Sequence, residues 1–221
     1  VVRISGPDLA ERLPVDDTQR RLASTPGTPG ARYEIAREAL EGEALPPTAP
    51  PTPEHLASDA FVQATHPRLR AAAAEILAGA DQDFDQDAAQ DDWVRALVLT
   101  DWVFENVDKV PTLGIPSALD VLEHRRGDCN EHTVLYTALA RAAGIPTRIA
   151  IGLVWSDDLE GFYYHAWPEV FAGGRWTWTD PTLGQHGADA THLKLLEGGV
   201  ESWPQLLPFL GKLEVHVETV R

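Results

Sequence analysis

Cys129, His165 and Asp180 follow one another along the chain in the order that a cysteine-dependent catalytic triad uses. A thiolate nucleophile needs an imidazole as its base or ion-pair partner, and the imidazole needs a further group that orients it. Each residue alone has an ordinary structural explanation, as a small buried side chain, a partly buried imidazole and a turn residue before proline. The three together favour acyl transfer at a carbonyl carbon.

The residues around Cys129 predict that it lies at the first position of a helix. Asp128 is a good N-cap, and Glu131 comes three residues after it, which is the pattern of a capping box. Free backbone N–H groups and the positive end of the helix dipole converge at such a position, so they would stabilise a thiolate. The same N–H groups could hold the oxyanion of a tetrahedral intermediate.

His165 and Asp180 fall on two predicted strands that are joined by a glycine-containing turn. A two-residue turn at residues 172–173 would place His165 directly opposite Asp180. A turn at residues 173–174 would place Trp167 opposite Asp180, with His165 next to Trp167 on the same face. Either turn brings the imidazole and the carboxylate within reach of a hydrogen bond, directly or diagonally.

Four further residues are candidates for the cleft wall, namely Asn130, His132, Trp167 and Trp178. Asn130 belongs to the helix start, and His132 lies one helical turn after Cys129, where it could pair with the thiol or help to bind a metal. No further cysteine or histidine follows at zinc-ligand spacing, so we expect neither a metal ion nor another cofactor. The two tryptophans share strand parity with His165, so they either screen the triad from water or simply pack in the core.

The elements that must position these residues are helices first and strands afterwards, an order that predicts an α+β fold. Apolar residues at helical spacing and helix stop signals predict helices over residues 67–80, 90–107, 117–124 and 128–143. Alternation and turn glycines predict strands over residues 147–155, 162–171, 175–180 and 213–218. Residues 81–92 have the composition of a calcium loop but not its order of ligands, and we interpret them as a solvated loop.

The first 54 residues form a different region from the rest. Residues 45–53 contain five prolines in nine positions and lack the backbone donors of a helix or central strand, which predicts an extended strap. A strand is possible at residues 32–40. We therefore expect an N-terminal extension over residues 1–54 and a catalytic domain over residues 55–221.

Three blocks of the chain, SALDVLEHRRGDCNEHTVLYTALARAAGIPTR, FYYHAWPEVFAGGRWTWTDPT and ADATHLKL, resemble the transglutaminase-core superfamily of bacterial proteins. The resemblance implies a papain-like fold in which a helix that carries the nucleophile packs against an antiparallel sheet. By motif it implies that Cys129 is the nucleophile, His165 the general base and Asp180 the orienting carboxylate.

The superfamily includes proteases, amidases and transglutaminases, so the resemblance implies a protein or peptide substrate without choosing between hydrolysis and amine transfer. Hydrolysis is slightly favoured, because amine transfer needs an additional acceptor site. A catalytically silent binding module on the same fold is the alternative.

The bulk composition excludes some partners. A formal net charge of −16 repels phosphate backbones, which argues against nucleic-acid binding. No stretch reaches the roughly 18 apolar residues that a membrane-spanning helix needs. The sequence begins at Val1 and contains no methionine, so we expect the native N-terminus to lie upstream. The compartment stays open, with a periplasmic or secreted location favoured, and the oligomeric state is open too.

Overall fold

The structure is a computed structural model that describes residues 1–6, 13–16, 18–24, 26–36, 49–80, 88–112, 114, 117–187 and 189–220, with the backbone alone at residues 88–91, 200 and 208. The chain divides into two compact units. The first unit consists of Val1–Thr48, Ala150–His165 and Ala188–Arg221, and the second of Ala49–Ile149 and Ala166–Gly187. The domain boundary that the sequence predicts after residue 54 stays a prediction. Most of the acidic loop and half of the proline-rich strap lie outside the described residues.

The second unit contains all the helices that the sequence predicts. They are α1 Pro67–Ala78, α2 Ala88–Asn106, α3 Ala118–His124 and α4 Cys129–Ala142. A short parallel pair of strands, β4 Asp108–Lys109 and β5 Arg126–Gly127, connects the ends of α2 and α3 to the region before α4. The predicted helices are therefore confirmed, with ends that differ by a few residues.

Helix α4 is the central element of the second unit. Ten successive residues, 131–140, are buried on every face of the helix. Small and apolar side chains allow neighbouring elements to approach closely, and several of the polar groups find backbone partners. The hydroxyl of Tyr136 donates to the backbone oxygen of Ala96 at 3.2 Å, and that of Thr133 donates to the backbone oxygen of Ala166 at 2.9 Å. The residue that begins this helix, Cys129, is therefore held by a rigid support.

A β-hairpin follows in the second unit. Strand β7, Gly161–Ala172, pairs antiparallel with β8, Arg175–Trp178, so that Ala172 faces Arg175 across a two-residue turn. Gly173 and Gly174 have φ values of +61° and +80°, which residues other than glycine rarely adopt. Of the two turns that the sequence leaves open, the one at residues 173–174 is confirmed.

The first unit contains an antiparallel sheet with the strand order β10-β1-β3-β2. Its strands are β1 Val2–Ser5, β2 Gln19–Leu22, β3 Ala31–Ile35 and β10 Glu214–Val217. Buried and partly exposed residues alternate along β1 and β3, as expected for strands with one face on a core. The sequence predicts the strands at β3 and β10 but neither β1 nor β2.

A second four-stranded sheet has the order β8-β7-β6-β9, with β6 Thr147–Ser156 and β9 His192–Glu197. Strands β6 and β7 each contribute residues to both units. Two 3-10 helices, Pro53–Leu56 and Val200–Phe209, complete the elements of the described chain. The α+β class predicted from the sequence is confirmed, and no helix among the described residues has the length and apolarity of a membrane span.

Candidate active site

Cys129 is the first residue of α4, as the sequence predicts. The side chain of Asp128 accepts a hydrogen bond from the backbone N–H of Asn130 at 2.9 Å, and Glu131 accepts one from the backbone N–H of Asp128 at 2.9 Å. The Asp128 side chain also accepts from the backbone N–H of Glu131, and this bond with its reciprocal forms the predicted capping box, which is confirmed. Cys129 itself is partly exposed.

The glycine before the cap is needed for this geometry. A Cβ atom added to Gly127 would lie 2.2 Å from the Cβ of Glu131, closer than real Cβ contacts permit. Glu131 is further held by Thr112, whose hydroxyl donates to Oε1 at 2.7 Å. Because both carboxylate oxygens of Glu131 are engaged, the first turn of α4 has one defined conformation.

Two carboxylates flank Cys129 in sequence and titrate differently. Burial, together with the neighbouring Glu131, raises the pKa of Asp128 to about 6. Burial also works to raise the pKa of Glu131, but hydrogen bonds from Asp128 and Thr112 prevail and lower it. The charge at the start of α4 therefore changes close to neutral pH.

His132 is fully buried, and both ring nitrogens face backbone oxygens. Its Nδ1 lies 2.7 Å from the oxygen of Asp128, and its Nε2 lies 3.2 Å from the oxygen of Val107. A neutral imidazole carries only one N–H and can donate to only one of them. Burial lowers the pKa of His132 despite these two acceptors. The ring therefore connects the cap of α4 to the end of α2.

His165 lies on β7 and is 7% exposed. In the first unit its ring lies edge-on to the ring of His192, with centroids 5.7 Å apart and planes at 60°. The Nδ1 of His192 is 2.9 Å from Oδ1 of Asp189. Sequence analysis does not single out His192, although it lies in the third family-like block; a histidine three residues after Asp189 is the signal that could have found it.

Asp180 is 2% exposed and closes a turn in the second unit. Its Oδ1 accepts hydrogen bonds from the backbone N–H groups of Thr182 at 2.8 Å and Leu183 at 3.0 Å. Its backbone forms an isolated antiparallel bridge with Gln185. A carboxylate has two oxygens with about four acceptor sites, so this turn is compatible with a second role for Asp180.

The register of the hairpin relates Asp180 to β7. Glu169 faces Trp178, and the N–H of Thr179 donates to the oxygen of Pro168 at 3.2 Å. The same antiparallel register, continued by two residues, places Trp167 opposite Asp180. Side chains two residues apart on a strand share a face, so His165 leaves β7 on the same side as Trp167.

The other cleft candidates lie in different surroundings. Asn130 is partly exposed beside Cys129. Trp167 and Trp178 are 1% and 3% exposed, and their rings pack against each other with centroids 5.5 Å apart. Glu169, on the same face of β7, is fully buried and forms an ion pair with Arg148 at 2.6 Å. The tryptophans therefore pack together inside the second unit, and their contribution to a cleft stays a prediction, as does the catalytic role of the triad residues.

The model of the transglutaminase-like superfamily matches residues 70–181. This segment contains Cys129, His165 and Asp180 and covers half of the chain. No curated protein matches the sequence at a significant level.

Solved structures show a similar fold. The crystal structure of a proposed cysteine protease from Cytophaga hutchinsonii has a TM-score of 0.60 and 17% sequence identity over 97% of this chain and 80% of that one. The periplasmic domain of TgpA from Pseudomonas aeruginosa has a TM-score of 0.42 and 23% identity over 59% of this chain and 46% of that one. At these identities the first similarity concerns the fold alone, and the second is too low to carry an argument.

Proposed function

Because the chain belongs to the transglutaminase-like superfamily, we propose that it is a cysteine-dependent acyl-transfer enzyme with Cys129, His165 and Asp180 as its catalytic triad. Family membership supports a cysteine-dependent enzyme in broad terms, and the triad and the reaction are the finer proposal. The observation that carries it is the position of Cys129, partly exposed at the capped start of a buried helix. A cysteine that only fills space in the core would not have to lie at a capped helix start.

The start of α4 supplies the electrostatics for a nucleophile. The helix dipole favours an anion at its N-terminus, which here means the thiolate of Cys129. The cap uses the N–H groups of Asn130 and Glu131. The backbone N–H of Cys129 is then the first-turn donor that remains for the oxyanion of a tetrahedral intermediate.

The hairpin supplies the geometry for the base and its orienting group. The pairing of β7 and β8 reaches Glu169 and Trp178; the same antiparallel register, carried further, would make His165 the diagonal neighbour of Asp180. Diagonal neighbours are about 7–8 Å apart at the backbone, a span that an imidazole and a carboxylate can bridge. This register favours Asp180 as the group that orients His165. Glu169, the other carboxylate on that face, is already paired with Arg148.

The reaction begins from a thiolate on Cys129 and an imidazolium on His165. The thiolate attacks the carbonyl carbon of a peptide or amide bond, the C–N bond breaks, and His165 gives its proton to the departing amine. A thioester and a neutral imidazole remain. His165 then takes a proton from water or from an amine as that nucleophile attacks the thioester, and the C–S bond breaks to restore the thiolate. Water completes hydrolysis, which we favour on a protein or peptide substrate, and an amine completes transglutamination.

Alkylation of the thiol tests the nucleophile directly. Cys129 is the only cysteine in the sequence, so iodoacetamide incorporation measured by mass spectrometry reports on this residue alone. We expect rapid alkylation at pH 6.5 and a loss of at least about tenfold in rate for His165→Ala, because a thiolate at that pH needs an imidazolium partner. The matched control is His216→Asn, an exposed histidine on β10. Equal rates in wild type and His165→Ala would refute the triad.

A substrate screen identifies the reaction. Peptide and amide libraries are incubated with and without an added primary amine, and mass spectrometry separates a gain of water from the loss of ammonia with amine incorporation. Cys129→Ala is the inactive control. If no library member changes while Cys129 alkylates slowly, the protein is the catalytically silent binding module. A location outside the cytoplasm stays part of the prediction.

A further inference from the structure

His192 is a buried histidine that contacts the proposed base. It is the first residue of β9 and is 1% exposed. Its ring lies edge-on to that of His165, with centroids 5.7 Å apart and planes at 60°. Its burial means that a bulky substrate cannot reach it directly, so an effect of His192 on the reaction must pass through a neighbour.

Asp189 fixes the ring of His192. Its Oδ1 lies 2.9 Å from Nδ1 of His192 and also accepts hydrogen bonds from the backbone N–H of Thr191 at 2.9 Å and from the Thr191 hydroxyl. Burial works to raise the pKa of Asp189, but the hydrogen bonds from His192 and Thr191 outweigh it and hold the pKa well below its usual range. The carboxylate is therefore ionised, and Nδ1 of His192 carries the proton.

The backbone around His192 is held as firmly as the ring. His192 pairs with Val154 across β6 and β9, and the N–H of Trp155 donates to the oxygen of Thr191 at 3.2 Å. A side chain with a fixed backbone and an anchored Nδ1 cannot turn without breaking the bond to Asp189. The ring of His192 is therefore a rigid surface against which a neighbouring side chain packs.

We propose that His192, anchored by Asp189, is a positioning residue that fixes the ring orientation of His165. The inference rests on the proposed role of His165 as general base. A base must meet its proton within hydrogen-bond reach, and small displacements from that geometry cost large factors in rate. His165 is held along β7 by its backbone, and the His192 ring restricts rotation about its side-chain bonds. Asp189 therefore holds His192, and His192 holds the ring of His165. Residues that support a catalytic side chain in this way keep it in its productive geometry.

Two substitutions separate the ring contact from the anchor. His192→Asn keeps an N–H donor near the position of Nδ1 and removes the ring, whereas His192→Phe keeps a ring and removes the donor. We expect alkylation of Cys129 by iodoacetamide at pH 6.5 to fall about tenfold in His192→Asn and less than about threefold in His192→Phe. Asp189→Asn, which keeps the ring of His192 and only weakens its anchor, should slow alkylation by about as much as His192→Phe. His216→Asn in the same unit is the control.

A double-mutant cycle distinguishes positioning from general destabilisation. If His192 acts through His165, His192→Asn has no further effect on alkylation in a His165→Ala background. Thermal midpoints of all variants are measured in parallel, and Asp189→Asn serves if a His192 variant does not fold. A rate for His192→Asn equal to wild type, with His165→Ala slow, overturns this inference and leaves the proposed function standing. A His165→Ala variant as fast as wild type overturns both.

Discussion

The start of α4 and the surroundings of Lys194 are two clusters of charged side chains built in opposite ways. At the start of α4, Asp128 and Glu131 lie three residues apart and hold a partly exposed cysteine between them. Around Lys194, Asp16 and Gln19 come from the N-terminal region, far away in sequence, and Glu197 is a local partner. The first cluster is local and surrounds a partly exposed cysteine, whereas the second is centred on a fully buried lysine and draws partners from a distant segment.

The Lys194 cluster joins β9 to the N-terminal region inside the first unit. Lys194 is fully buried, with Nζ 2.5 Å from Asp16 and 3.2 Å from Glu197. Gln19, also fully buried, accepts a hydrogen bond from the backbone N–H of Lys194 at 2.9 Å. Its amide N–H group donates to the oxygens of Lys194 and Pro14, each at 2.8 Å. The comparison teaches that a network around a buried charge can join distant segments of the fold, whereas a local one orders the helix start that carries Cys129.

Loss of Lys194 is expected to have the largest effect on stability. Lys194→Ala leaves Asp16, whose side chain is 17% exposed, without its nearest cation, and breaking a buried pair costs up to about 3–5 kcal/mol of unfolding free energy. Urea denaturation followed by tryptophan fluorescence measures it. Arg68→Ala is the control, because its pair with Glu123 is more than half exposed and contributes at most about 1 kcal/mol. Equal losses of unfolding free energy in the two variants would show that the ion pair of Lys194 contributes no more to stability than an exposed pair.

Loss of Gln19 is expected to cost less, about 1–3 kcal/mol. Gln19→Ala leaves the backbone N–H and oxygen of Lys194 without their side-chain partner in a buried place. The measurement is again urea denaturation, with Gln205→Ala as an exposed glutamine control in the same unit. A change below that of the control would mean that the N-terminal region does not depend on this contact.

Loss of the N-cap of α4 is expected to lower the free energy of unfolding less than loss of Gln19 does. It is also expected to slow alkylation of Cys129. Asp128→Ala removes an N-cap and costs about 1 kcal/mol, whereas Asp128→Asn keeps the cap acceptor and stays near wild type. Alkylation of Cys129 should slow in the alanine variant, because the first turn of α4 frays. If alanine and asparagine variants alkylate equally, the cap does not hold the thiol in place.

The smallest expected effect is on the pH dependence of stability. The pKa of Asp128 is raised to about 6 in the folded protein, above the value of about 4 for an unfolded chain. Its protonated form is therefore favoured by folding, a contribution that is complete below pH 4 and disappears as the pH rises to 6. Asp128→Asn lacks this loss, so its thermal midpoint should rise relative to that of wild type between pH 4 and 6, by a small amount because Asp128 is partly exposed to solvent. A constant difference across that interval would contradict the raised pKa.

Local patterns in the sequence were enough for the helices, the capping box and the strands of the hairpin. These features depend on residues within a few positions of one another, as Asp128 and Glu131 show. A triad of Cys129, His165 and Asp180 could also be proposed from the sequence, because the chemistry of a triad restricts the residue types that can perform it.

Tertiary structure decided what depends on distant partners. Strands β1 and β2 are not predicted by the sequence; β1 lies between β3 and β10, and β2 pairs with β3. The choice between two turns was made by the register of β7 against β8, and the burial of Gln19 and Lys194 by contact across most of the chain. His192 gains its significance from the ring of His165 beside it. Such contacts form only when folding brings remote segments together. The local patterns of residue types in a sequence do not identify which remote segments will be in contact.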